Sequence, residues 1–472
     1  MYYKEITLTL AMLMVSLFVY PKPNAKDWNV YSFGAKGDGK TLDTKAIQST
    51  IDACYQQGGG KVLLAGGQFL SGTIILKSNV TLYLESGTTL MGSSSYNDYP
   101  VRPSAFPSIM GEYMTDKALI YAEGAENVAI MGHGTINGQG DRLYKHGYEG
   151  DRPHIIHLRA CKDIKVCGVK LFNSATWVQK YQSCQNLLID AVTVDSRENK
   201  DIELPRFLHS PGRNTDGCNI VDCRNVRISN CNIVSGDDGI VFKSFSANEG
   251  CYNVTVTNCI ISTNASGIKI GTETAGAFTD FVINNCVVYD TRGAGIGLMT
   301  VDGGSIERIL VSNITMRNIK GAAIFVRLGK RNRMYRKGEN PTTGRINNVL
   351  LQNIYGTGIE RYGCSITGIP GAPIEGISLQ NIRLNFMGGD EPLYFEGSAD
   401  KPVQQRQVDN VPEKESEYPR SEMFGKLPAY GLYVRHTNFI ELSHVTFTLD
   451  KEEARPALIM DDVRRVEIDS IK

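Results

Sequence analysis

Two short acidic words, Asn214-Thr215-Asp216-Gly217 and Gly236-Asp237-Asp238-Gly239, hold the residues best suited to chemistry. They fall at the same place in consecutive repeats of the chain, which stacks three carboxylates on one surface. Clustered carboxylates raise one another's pKa, because like charges resist being ionised together. A site of this kind keeps one acid protonated and another ionised at neutral pH. The competing reading is an asparagine/aspartate ladder that only caps turns. Three carboxylates in contact without a role would cost stability, which favours the chemical reading.

The repeat that positions them is legible without an alignment. In Asn253–Cys259 an apolar residue is followed by another two positions on and a third at plus five. The same pattern starts at Val80, Val128, Ile164, Leu187, Val226, Val254, Phe281, Ile309, Val349, Ile377, Ile440 and Val466, with shortest spacings of 23, 26, 27 and 28 residues. Periods in this range mark a solenoid. The units are rich in Val, Ile, Asn and Thr and alternate with period two, so each is built of strands. The expected architecture is all-β: a single right-handed parallel β-helix of about ten coils, with one apolar interior. Asp43 or Thr44 reads as the N-cap of a helix over Lys45–Gln56, whose apolar positions are Ala46, Ile47, Ile51 and Cys54. A helix there would close the open N-terminal end and its strand edges.

Composition narrows the partners. Lys+Arg and Asp+Glu balance at 50 each, so no basic footprint recommends nucleic acid. Met1–Ala25, with Lys4, the apolar run Ile6–Tyr20 and the small residue Ala25, reads as a secretory signal rather than a membrane span. No Cys follows the run closely, so no lipid anchor is expected, and residues 26–472 read as one domain, exported as a secreted or periplasmic monomer. Cys161, Cys184, Cys223 and Cys251 share one repeat position, and Cys231, Cys259 and Cys286 another. In-register cysteines read as small hydrophobes in a ladder rather than as disulfides. The Asn-x-Ser/Thr words at Asn79, Asn253, Asn264 and Asn313 fall out of the same spelling and are not read as glycan sites.

The chain resembles the polygalacturonase family, glycoside hydrolase family 28, over nearly all of its mature length. The matching words are Phe33–Gly39, Gly58-Gly59-Gly60, Arg152-Pro153, Asn173-Ser174 with Trp177, Asn214-Thr215-Asp216 and Gly236-Asp237-Asp238. The first four also occur in related β-helical, pectin-lyase-like proteins and support the fold; the last two are specific. The resemblance implies a pectin-directed hydrolase that inverts the anomeric centre and needs no cofactor or metal. Asp237 would be its general acid, and Asp216 with Asp238 would hold the attacking water. Adjacent coils bring the carboxylates closer than the usual inverting separation of roughly 6.5–9.5 Å, so spacing alone points to retention. Inversion is the expectation taken from the family.

Register extends the site. Asp216, Asp238, Ser266, Ala294 and Ala322 fall in one column. Three positions on lie Asn219, Val241, Lys269, Gly297 and Phe325; five on lie Lys243, Gly271, Met299 and Arg327. This chain departs from the family on the next coils, with Ala265-Ser266-Gly267 where a Gly-His-Gly word is usual and Gly297-Leu298-Met299 where Arg-Ile-Lys would bind a uronate. Lys269 is expected to supply the missing cation, against the plain alternative of a solvated lysine; Asn214, Lys243 and Arg327 join it as substrate-binding candidates. Two insertions flank the site. Residues 195–213 bring His209 and Arg213 as further candidates, and residues 386–436 enlarge a later coil. Loops there can wall a groove and favour removal of terminal sugars, though both also fit plain surface loops.

Three functions compete on this basis: a hydrolase taking galacturonic acid or a similar uronic acid from pectic chains, a same-scaffold hydrolase for another sugar, and a non-catalytic carbohydrate-binding β-helix. A lyase is disfavoured, since it would call for a calcium-binding carboxylate cluster with an Arg or Lys base.

Overall fold

The apolar starts stack on one another. In the computed structural model, which describes residues 27–102, 116–143, 152–197, 214–394 and 401–471, Val128 lies opposite Ile164, and Ile164 opposite Leu187. The column continues through Val226, Val254, Phe281, Ile309, Val349, Ile377 and Ile440 to Val466. All strand pairings in the stack are parallel, and the winding is that of a right-handed parallel β-helix. Strands Asp27–Asn29 and Gly60–Leu64 pair below Val80–Leu84, so the solenoid is longer than the ten coils expected. The proposed signal segment Met1–Ala25 lies outside the described residues, as do His209 and Arg213.

Alternation decides what faces in. Val226, Ile228, Val254, Val256, Phe281 and Ile283 are buried in one continuous core, which removes apolar surface from water along the whole axis. Cys161, Cys184, Cys223 and Cys251 join that core in register, as do Cys231, Cys259 and Cys286. All eleven cysteines are free thiols.

The bends between sheets are built by asparagine. Asn186, Asn225 and Asn253, each one residue before an apolar start, have φ of +57°, +57° and +56°. Asn tolerates this left-handed backbone better than most residues. Their amides then stack: Asn253 Nδ2 donates to Asn225 Oδ1 and Asn225 Nδ2 to Asn186 Oδ1, both at 2.9 Å. Asn79, Asn253 and Asn313 all serve such bends, with positive φ and a neighbour's amide as partner.

The expected helix spans Thr44–Gln56 and packs its buried Ile47, Ile51 and Cys54 over the first strands. Asp43 occupies the N-cap position but does not cap. Its carboxylate accepts from Lys36 N at 2.7 Å and Gly37 N at 2.9 Å, because the glycine-rich turn before it leaves those amides unpaired.

Candidate active site

The site sits on the outward face of the sheet formed by Gln179–Gln182, Cys218–Val221, Ile240–Ser244, Ile268–Thr274, Ile296–Thr300 and Ile324–Leu328. Gly217 N donates to Asp238 O, Gly239 N to Ser266 O, Gly267 N to Ala294 O and Gly295 N to Ala322 O. These bonds lock the predicted column of Asp216, Asp238, Ser266, Ala294 and Ala322. A glycine must follow Asp216 and Asp238: a Cβ on Gly239 would lie 2.5 Å from Ile261 Cγ2 and 2.5 Å from Gly267 O.

Each word is held by its own small polar residues. Asn214 takes a left-handed turn (φ +58°) and its side-chain oxygen accepts from Arg152 Nη2 at 2.9 Å. Thr215 is fully buried; its hydroxyl donates to Ser196 O at 2.7 Å and accepts from Gly236 N at 3.1 Å. Asn214 N in turn donates to Asp237 Oδ2 at 3.2 Å, and Asp238 N to Asp237 Oδ1 at 2.9 Å. Asn214 therefore reaches the site through its backbone, while its side chain faces Arg152.

The three aspartates differ in surroundings. Asp216 and Asp238 are buried, at 2% and 3% exposure, whereas Asp237 is half-buried and reaches the cavity. Asp238 accepts from Lys269 Nζ at 2.8 Å and from Ser266 N at 3.1 Å. Burial, followed by the charge of Asp238, holds Asp237 above the ordinary carboxylate range, against the pull of Lys269. Burial and Asp237 push Asp216 well above that range, with Lys243 opposing.

Lys243 lies 3.7 Å from Asp216 Oδ2 and 3.0 Å from Glu273 Oε2, over the Trp177 ring at 4.7 Å. Glu273 was not singled out in the sequence, because the simple register fails there. Phe242 pairs with Ile270 but Ser244 with Thr274, so the second strand carries two extra residues. This irregularity brings Glu273 round to Lys243. Burial opposes ionisation of Glu273, but Lys243 and Arg331 hold its pKa down at about 2.

A cavity of about 900 Å³ opens over Asp237, Asp238 and Lys269 and continues past Arg292 to Tyr418 and Glu422. Its far wall is built by described parts of the 386–436 insertion, Leu393, Tyr394 and Tyr418 to Glu422. Val411, Met423, Phe424 and Leu427 pack on Met299 and Phe325 of the outward face. Arg327 serves this wall and not the cavity, contrary to its expected place beside substrate. Only 1% exposed, it donates to Gly368 O at 2.9 Å and Glu413 O at 2.6 Å beneath the Phe424 ring. Tyr418 covers the lysine, with Lys269 Nζ 5.8 Å from its ring centre. No sequence pattern pointed to Tyr418, since it lies in an insertion without repeat register.

The geometry defines the class as a parallel β-helix with clustered aspartates and paired lysines on one outward face, and the sequence places it more closely. Residues 54–398 match the signature of glycosyl hydrolases family 28, and the chain belongs to that family. It is 33% identical over 230 residues to a probable polygalacturonase of Vitis vinifera, covering 46% of this chain and 44% of that protein. An exo-poly-alpha-D-galacturonosidase of Dickeya chrysanthemi is 38% identical over 123 residues, covering 24% of this chain and 19% of that protein. The chain thus spans less than half the length of these two curated relatives. In fold it is similar to the family 28 exopolygalacturonase of Yersinia enterocolitica, with a TM-score of 0.65 and 20% identity over 94% of this chain and 78% of that one.

Proposed function

We propose that this protein is an exported, exo-acting hydrolase that removes α-linked galacturonic acid, or a similar uronic acid, from pectic chains with inversion. The observation that carries the reading is the inequality of the aspartates. Asp237, half-buried at the cavity and held above the ordinary carboxylate range, is the proton donor to the glycosidic oxygen. Asp238, paired with Lys269, is the carboxylate that takes the proton of the attacking water, with Asp216 helping to orient that water. As the donor protonates the leaving oxygen, the glycosidic bond breaks and water adds to the opposite face of the anomeric carbon. The product sugar keeps the water oxygen, and Asp238 holds the water proton.

Exo action is supported by the wall that the insertion builds across one end of the cavity, where an open groove would suit attack within a polymer. Export rests on the character of Met1–Ala25. Incubation with polygalacturonate and short oligogalacturonides, followed by chromatography, tests the reading. Release of monomer from the earliest times is expected. A ladder of intermediate sizes would refute exo action, an unsaturated product would refute hydrolysis, and an inert wild-type protein would favour a binding role.

One observation favours a second substrate. Both lysines nearest the aspartates are committed to protein carboxylates, Lys269 to Asp238 and Lys243 to Glu273 and Asp216. If neither is released to a substrate carboxylate, a neutral sugar fits the cavity side as well as a uronate. Equal activity on the neutral analogue would move the assignment there.

A further inference from the structure

On the low-numbered side of Asp216 the same outward face carries three polar side chains in a row. His157 lies opposite Lys180, and Lys180 opposite Asn219; the row then runs through Val241 to Lys269. None of the three joins the apolar core, yet His157, Lys180 and Asn219 are only 0%, 2% and 0% exposed. Buried polar groups in proteins nearly always have partners. Among the described residues neither ring nitrogen of His157 and neither amide atom of Asn219 has one of good geometry, although the Gln182 side chain lies close enough to His157 to interact weakly with it. Lys180 makes no hydrogen bond or ion pair among the described residues, and its ammonium lies 5.9 Å from the centre of the Trp177 ring.

Around the row stand the cations Lys180 and Arg159 and the carboxylate of Asp116. Burial lowers the pKa of Lys180 to about 8, with Asp116 opposing and Arg159 adding to the effect, so the ammonium persists at neutral pH. Asp116 is already paired with Arg159. Burial and the neighbouring Lys180 keep His157 neutral, so its ring offers one N–H and one acceptor nitrogen. An ammonium, an imidazole N–H and an amide N–H lie side by side on neighbouring strands, and the Asp116 carboxylate nearby is taken up by Arg159. A carboxylate satisfies all three donors at once, and the imidazole acceptor and amide oxygen suit sugar hydroxyls.

We propose that His157, Lys180 and Asn219 form a uronate-binding position beside Asp216, with Lys180 holding the carboxylate. The position rests on the hydrolase reading above for its sugar, and it frees Lys269 from the part of carboxylate receptor. Asn219 stands on the strand that follows Asp216, and Lys180 one strand away at roughly 4.8 Å, which sets the held sugar next to the reacting carboxylates. On this account the substrate's charge is read on the low-numbered side of Asp216, while Lys269 stays with Asp238.

The test uses the full-length protein in an Asp237→Asn background, so that binding is read without turnover. Galacturonate and galactose are titrated separately by calorimetry or NMR. Lys180→Met and Asn219→Leu should each weaken galacturonate binding about tenfold or more, the scale of a lost charge-assisted contact, and leave galactose unchanged. Both variants should melt no lower than their parent, since each removes an unsatisfied buried group. Unchanged galacturonate affinity in Lys180→Met, an equal loss for both sugars, or a parent that does not bind galacturonate would overturn the proposal. The two readings fail separately. A wild-type protein that binds galacturonate through Lys180 but cleaves no uronide defeats only the hydrolase assignment. One that cleaves uronides with kinetics indifferent to Lys180→Met defeats only this position.

Discussion

Lys269 Nζ stands 2.8 Å from Asp238 Oδ2, with both side chains almost wholly out of solvent. One coil back, Lys243 stands 3.7 Å from Asp216. Two of the three carboxylates therefore have a cation at hand, and Asp237 is the half-buried one, placed at the cavity where it can give a proton to substrate. The pairing with Asp238 makes Lys269 a positioning residue for the proposed base. Its removal should act on kcat more than on KM. A methionine there also withdraws a positive charge that restrains the pKa of Asp237, so that pKa rises further. In the pH profile of Lys269→Met the alkaline limb should move to higher pH while the maximum falls. An unmoved limb with a raised KM would instead make Lys269 a substrate receptor.

Asp237→Asn should lower turnover by about 10²- to 10⁴-fold, the usual worth of a positioned general acid. Substrate binding should persist, because the amide keeps the side chain's shape. A loss of binding equal to the loss of turnover would argue against a proton-donor role.

Asp216→Asn should make the protein more stable at pH 7. Folded Asp216 titrates well above its ordinary 3.8, so between those values the native state binds more protons than the unfolded chain. That contribution is complete below about pH 3.8 and is lost as pH rises through the raised pKa. A neutral amide escapes the loss, for a gain of about 0.5–2 kcal/mol at neutral pH. The gain should shrink as the pH approaches 4, and thermal melts across that range check the trend.

Glu273 behaves in the opposite sense. Its folded pKa of about 2 lies below the ordinary 4.5, so its contribution is full above pH 4.5 and lost as pH falls through 2. Glu273→Gln should destabilise at pH 7, by less than the roughly 3–5 kcal/mol of a fully orphaned buried charge, because Lys243 can still turn to Asp216. Denaturant unfolding at pH 7 and pH 3 should show a smaller difference at the lower pH.

Proton NMR of the first-released sugar should show the inverted anomer. Retention would require one aspartate to attack the anomeric carbon directly and would reassign Asp238 from base to nucleophile.

Most of the fold was legible because a solenoid writes its register into the spelling: one apolar residue per coil at a fixed offset placed Asp216 and Asp238 in a single column. The legible part of the site ended where the repeat did. Glu273 escaped notice because two extra residues shift the pairing after Ile270. Tyr418 lies in an insertion whose path owes nothing to periodicity. Arg327 had the right column but the wrong company, since nothing in its own repeat foretold that the carbonyls of Glu413 and Gly368 would claim it. The row of His157, Lys180 and Asn219 was half visible: Asn219 stood in the column, but its lack of any partner is a fact of three dimensions.

The shift opposite Phe242 adds residues in an even number, and parity is what it preserves. A single extra residue after Ile270 would turn every later side chain of that strand through the sheet, exchanging the facings of Glu273 and Thr274 and sending a charge into the interior. An even step lets the active face gain Glu273 while the interior keeps its phase. The scaffold can thus vary its chemistry by whole pleats, and odd-numbered insertions in these strands should be confined to the bends, where the count is reset before the next coil begins.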